Sequence, residues 1–139
     1  MPIDGIFGST VDLLAKSIDL RARSHAMISA NLANVETPNY TPTSLSFEDE
    51  LKGALKGKKG APALTNPRHI PLKGQGASIQ QVQGRVVETP AQAPGRDNNG
   101  VELEAEMGRM AENQIMYNAS IQIIGKKFEG LKYAIRENK

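Results

Sequence analysis

The sequence predicts a mainly α-helical fold. Long N- and C-terminal helices form a coiled-coil core, and a Pro/Gly-rich middle insert is partly β or irregular. Three observations predict it. Apolar residues recur at 3-4 spacing over residues 9–34. They do so again, over a longer stretch, across residues 103–135. Between the two, five of the eight prolines and eight of the thirteen glycines fall within residues 53–100, where no long period survives. The chain is read as one structural unit in three parts: an N-terminal helical segment (1–36), the insert (37–100) and a C-terminal coiled-coil helix (101–139).

The first helix carries Val11, Leu14, Ile18, Arg21, His25, Ile28, Leu32 and Val35 on one stripe, six of the eight apolar. Ser9 or Thr10 is the expected cap. Gly and Pro are absent from residues 9–36. Pro38 pushes Thr37 out of the α region, so the helix should stop at or before Glu36. Asn34 tolerates a left-handed helix end. Asn31 and Asn34 lie about one turn apart, able to bond exposed carbonyls or a neighbour's backbone.

In the insert, Phe47, Leu51, Ala54 and Leu55 share a face of a short helix, with Ser46 and Asp49 as a capping pattern. The stretch holding Ile79, Val82, Val86 and Val87 reads as one or two short strands. An insert of this length exceeds an ordinary connection, so it should be a small β-rich element, a partner-ordered segment, or both.

The second helix repeats Leu103, Met107, Met110, Gln114, Tyr117, Ile121, Ile124, Phe128, Leu131 and Ile135, nine of the ten apolar. At 1.5 Å per residue it spans about 50 Å. The sustained heptad is a coiled-coil seam. Ile115, Met116, Ile123 and Ala134 widen it, which implies more than one neighbour. Gly108, Gly125 and Gly130 inside it imply either close approach by another helix or local looseness. Glu102, Glu104 and Glu106 alternate at its start and favour the positive end of the helix dipole. Asp97, Asn98 or Asn99 should cap it, with Gly100 allowing the tight entry.

Chemistry is sparse. The chain has no Cys, which excludes disulfides and thiolate metal sites, and its formal net charge is only +2. Of the two histidines, His25 falls on the first stripe and reads as packing or a polar contact. His69 has no ligand partner at useful spacing. No phosphate-binding Gly-rich loop and no catalytic constellation stands out, so no enzyme activity and no cofactor or metal is expected. Lys52, Lys56, Lys58 and Lys59 sit among glycines. They read either as a solvated loop or, in the less favoured alternative, as a polyanion-binding module. No apolar run is long enough to cross a membrane, and the N-terminus does not read as a cleaved signal peptide. Apolar surface left over after the helices pair would be an assembly surface. The residues alone therefore point to a self-assembling helical structural protein.

The stretch Asn31, Leu32, Ala33, Asn34, Thr37, Pro38 and Tyr40 resembles the N-terminal signature of bacterial flagellar axial proteins. "FEDELKGAL", "TNPRHI" and the run from Asp97 to the C-terminal helix narrow the resemblance. They point to the flagella basal body rod protein family, and within it to the proximal rod type. That type reads Asp-Gly-Asn before its acidic run, whereas here Asp97-Asn98-Asn99-Gly100 precedes Val101. The resemblance implies a structural subunit of the rod, the periplasmic drive shaft that carries motor torque to the hook and is needed for motility. It also implies polymerisation through the terminal helices. The implied assembly residues are Val11, Leu14, Ile18, Ile28 and Leu32, with Met110, Tyr117, Ile121, Ile124, Phe128 and Leu131. Phe7 and Val11 match an early Phe-x-x-x-hydrophobic element thought to engage the export gate. Implied partners are other rod subunits, the basal-body adaptor protein and the export gate, with self-association and without nucleic acid or direct membrane insertion. Export from the cytoplasm without a cleaved signal peptide is implied too. A neighbouring short rod subunit is the alternative within the family.

Overall fold

The computed structural model describes residues 8–57, 78–90 and 98–136. Its order is helix α1 (Ser9–Ala33), strand β1 (Thr43–Ser46), helix α2 (Glu48–Gly57), a 3-10 turn (Ile79–Gln81), strand β2 (Arg85–Glu88) and helix α3 (Leu103–Arg136). This is the expected mainly helical fold, with the two long terminal helices packed together and a small two-stranded sheet between them in sequence. Helices α1 and α3 run antiparallel. Asn31 meets Glu106 near one end, and the Arg21 carbonyl meets Asn113 further along.

Helix α1 starts without a side-chain cap. The Gly8 carbonyl accepts from Val11 N–H at 2.8 Å, so Ser9 and Thr10 lie in the first turn rather than capping it. Asp12 sits in that turn, where the dipole favours it. The helix ends at Ala33, earlier than Pro38 alone requires. Asn34 closes it at φ −107°, which is not the left-handed end expected of it. The left-handed residues are instead Asn39 (φ 59°) and Asn98 (φ 54°). Asn98 donates to Asn39 Oδ1 at 3.3 Å, so the two turns meet. Asn tolerates that left-handed conformation. Gly100 does not supply it.

The insert is better built than its composition suggests. Strands β1 and β2 pair antiparallel, from Thr43 opposite Glu88 to Ser46 opposite Arg85. Strand β1 carries no apolar period of its own and was not expected. Ser46 lies in it, so the foreseen cap of α2 falls to Phe47, whose carbonyl accepts from Leu51 N–H. Ile79 and Val82 are fully buried, but they sit in and just after the 3-10 turn rather than in a strand. Gly84 separates that turn from β2 at φ +71°. A Cβ there would lie 3.1 Å from both Leu45 and Phe47. Glu50 accepts from the Gly84 N–H and ties α2 to this turn.

The core of the insert joins Leu45, Phe47, Ala54, Ile79 and Val82 to Leu20 of α1. Leu13 and Met27 pack against the same cluster. Leu13, Leu20 and Met27 are seven apart and form a second line on α1 beside the expected stripe. Helix α1 is thus shared between the insert and α3. The foreseen face of α2 holds, with Ala54 buried and Leu51 and Leu55 half-buried against the core.

Candidate assembly surface and helix corner

The corner after α1 is built by two asparagines far apart in sequence, Asn31 within α1 and Asn99 just ahead of α3. Asn31 is fully buried. Its Nδ2 donates to the Thr43 carbonyl (2.9 Å) and to Glu106 Oε2 (3.0 Å). Its Oδ1 accepts from Thr43 N–H (3.1 Å) and from the Tyr40 hydroxyl (3.2 Å). One side chain therefore ties α1, β1 and α3 together, using the full capacity of an amide. Glu106 is 2% exposed and takes a second donor, Arg109 Nη1, at 2.6 Å. Its expected role was dipole stabilisation; its observed role is to anchor the seam.

Asn99 supplies the second clamp. Its Nδ2 lies 3.0 Å from the Asn34 carbonyl, 2.7 Å from that of Val35 and 2.9 Å from that of Thr37. Its Oδ1 accepts from Val101 N–H. Asn99 was expected to cap the start of α3. It mainly closes the turn after α1, serving the Val35 and Thr37 carbonyls and sharing that of Asn34 with the Thr37 N–H. Asn34 returns its own Nδ2 to the Ala30 carbonyl and accepts from Thr37 Oγ1. Of the corner motif, Asn31 and Tyr40 form the buried network, Asn34 and Thr37 the turn, and Leu32 is half-buried. Ala33 and Pro38 are exposed.

Along the helix pair, α3 turns a mixed face to α1. Met110, Tyr117, Ile124 and Leu131, seven apart, are half-buried. The intervening buried positions are Glu106, Asn113 and Ser120, all polar. Asn113 Nδ2 donates to the Arg21 carbonyl, and Ser120 Oγ donates to the Met116 carbonyl. The expected seam put Met107, Ile121, Phe128 and Ile135 in that second line. The structure leaves them exposed at 57%, 42%, 45% and 75%. Polar groups that bond across or within the helix win the inner line, and the apolar line lies on its flank. On α1, Ile28 is buried and Val11, Leu14, Ile18 and Leu32 are half-buried. Phe7, the other half of the early export element, lies outside the described residues.

Among the described residues, no other element lies within 4 Å of an added Cβ at Gly108, Gly125 or Gly130, so none packs closely on them. The apolar residues that widen α3 also stay open, with Ile115 67%, Met116 46% and Ile123 49% exposed.

A cleft of about 370 Å3 opens between α1, β1 and α3, lined among others by Arg21, Phe47, Glu48, Glu106 and Asn113. Two of its charged groups pair with each other. Arg21 bridges Glu48 at 3.3 Å with its guanidinium 5.5 Å from the Phe47 ring centroid. Such pairing is structural in character. His25 is half-buried, and among the described residues its Nδ1 has no hydrogen-bond partner; His69 lies outside the described residues. Among the described residues no helix is long and apolar enough to cross a membrane, and no three His, Asp or Glu side chains gather as a metal site. Lys52 pairs with Asp49 on α2, and Lys58 and Lys59 also lie outside the described residues.

No protein-family model matches the chain. Individual proteins do. The flagellar basal body rod protein FlgB of Escherichia coli (strain K12) is 26% identical over 121 residues, covering 84% of this chain and 85% of that protein. FlgB of Yersinia ruckeri is 26% identical over 127 residues, covering 88% and 90%. FlgB of Cereibacter sphaeroides is 28% identical over 130 residues, covering 94% and 96%. Over most of both chains, then, this sequence is similar to flagellar basal body rod proteins named FlgB.

Proposed function

We propose that this flagellar basal-body rod subunit polymerises through α1 and α3 into the periplasmic drive shaft that carries motor torque to the hook. The observation that carries the reading is the apolar surface of α3 that α1 leaves open. Met107, Ile121, Phe128 and Ile135 lie on one flank and Met116 and Ile123 on the other. Exposed apolar area on this scale marks an interaction surface. Two different flanks on one helix suit heterologous contacts, and these build helical filaments when the rotation does not close. The half-buried inner line of Met110, Tyr117, Ile124 and Leu131, with Val11, Leu14, Ile18, Ile28 and Leu32, holds the helix pair that presents those flanks. The corner from Asn31 to Tyr40 fixes the angle between this pair and the insert outside it.

The same reading makes other rod subunits, the basal-body adaptor protein and the export gate the partners. Export occurs without a cleaved signal peptide, with Phe7 and Val11 as the element that engages the gate. Site-specific photocrosslinking from position 121 in swimming cells tests it. Adducts with neighbouring rod subunits are expected. A crosslinker at 121 that reacts with no basal-body protein, in cells that assemble complete flagella, overturns the assignment.

A further inference from the structure

The outer side of α3 has a pattern that the α1–α3 pair does not bury, although Ile123, Lys126 and Gly130 also border a groove beside the start of α1. Gly108, Ala119 and Gly130 are spaced by eleven, close to three full turns, and form one line of small residues along the helix. Beside that line stand Glu112 and Ile115 on one side of Ala119, and Ile123 and Lys126 on the other. The order is symmetric about Ala119. Reversing the helix end for end about this residue places Gly108 on Gly130, Glu112 on Lys126 and Ile115 on Ile123. All seven are exposed, with Ile115 67% and Ile123 49% open to solvent. Among the described residues, no other element comes within 4 Å of the Cβ position of Gly108 or Gly130.

We infer that this face binds a second copy of the chain as an antiparallel α3–α3 pair centred on Ala119. Charge selects that orientation. Residues 102–112 hold four acidic side chains and one Arg, residues 113–125 hold no charge, and residues 126–136 hold three Lys, one Arg and one Glu. A parallel, in-register pair sets Glu112 on Glu112 and Lys126 on Lys126, and like charges there are costly. The antiparallel pair makes the Glu112–Lys126 match twice and buries four isoleucines in the neutral middle. The small line lets the two backbones approach closely, as small residues do at tight helix crossings.

The pairing stands on α3 alone. Its consequence rests on the rod reading. Subunits related by one repeated heterologous contact all point the same way. An antiparallel pair cannot be a step of such a filament, so it is a form of the free subunit that covers part of α3 until assembly.

Sedimentation of the full-length chain and of charge variants tests this. The wild type is expected as a monomer–dimer equilibrium that stops at two. Glu112→Lys and Lys126→Glu each weaken the dimer by about tenfold or more, because each creates like-charge contacts twice. The double variant Glu112→Lys/Lys126→Glu restores affinity to within about threefold. The chain has no cysteine, so an Ala119→Cys variant reports the two-fold axis directly. It is expected to oxidise to a disulfide-linked dimer, while Met107→Cys, on another flank, does not. A wild type that stays monomeric at about 0.1 mM overturns the inference. So do oligomers that keep growing with concentration, or a double variant as weak as either single. A dimeric chain that is dispensable for motility leaves this inference standing and removes the rod reading; a monomeric chain required for motility does the reverse.

Discussion

Asn31 Nδ2 donates to Glu106 Oε2 at 3.0 Å across the α1–α3 seam, with both side chains withdrawn from solvent. The same amide holds both backbone groups of Thr43 at the start of β1. Three elements far apart in sequence are therefore fixed by one side chain. Removing it leaves Glu106 with Arg109 as its remaining partner at that site and strips the Thr43 backbone of its bonds. Asn31→Ala is expected to cost about 2–4 kcal/mol, as several buried groups lose partners together. Asn31→Asp should cost more, since it sets a second carboxylate beside Glu106. Urea denaturation of the full chain measures both. An alanine variant within about 0.5 kcal/mol of wild type would mean that the network does not hold the corner.

Asn99 makes a separate prediction. Asn99→Ala removes a donor from the carbonyls of the turn after α1 and the acceptor of the Val101 N–H. A loss of about 1–3 kcal/mol is expected. Hydrogen exchange should localise the effect, with faster exchange at Val101 and in the last turn of α1, and little change in the middle of α3. Uniform acceleration along all three helices would contradict a local clamp.

How much of this was legible in the sequence follows from where each signal resides. The two long helices were legible because their apolar periods are local and uninterrupted. The face of α2 was legible for the same reason. The corner motif was visible as Asn31 and Tyr40, but their partners Thr43 and Glu106 were not, since nothing local links them. Strand β1 was missed because its sequence, Thr-Ser-Leu-Ser, has one buried apolar residue and exists by pairing with β2. The line Leu13, Leu20 and Met27 stands at a spacing of seven, but it is short and lies beside a longer stripe of the same period. In α3 the error was one of assignment. Apolar period alone put Ile121 and Phe128 in the inner seam, whereas Asn113 and Ser120 fill it and satisfy their hydrogen bonds there.

Gly84 tests the packing of the insert. Its φ of +71° disfavours any side chain, and an added Cβ would press on Leu45 and Phe47 at 3.1 Å. Gly84→Ala is expected to destabilise the fold by about 2–4 kcal/mol, combining a left-handed penalty with overpacking. Gly125→Ala is the control. Among the described residues no other element lies within 4 Å of its Cβ position and it sits inside α3, so Ala there should be neutral or stabilising by up to about 1 kcal/mol. Thermal melts of the two variants should therefore move in different directions. Equal destabilisation by both would mean that the Gly84 turn is not the reason.

The last prediction separates folding of the subunit from its assembly. Ile124 is half-buried on the inner line of α3, whereas Ile121 is 42% exposed on the flank. Ile124→Asp places a carboxylate in the helix pair and should cost about 1–3 kcal/mol in the free subunit. Ile121→Asp should leave the stability of the free subunit within about 0.5 kcal/mol. Under the proposed function both abolish motility, the first through the helix pair and the second only through contacts between subunits. Denaturation of the purified variants, with swimming assays and basal-body isolation from cells carrying each one, gives the comparison. Cells with Ile121→Asp that export the subunit at wild-type level but stop before the hook would show that the open flank is an assembly surface. Normal swimming with Ile121→Asp would remove that flank from the interface, and the role of α3 in assembly would then rest on the opposite flank, at Met116 and Ile123.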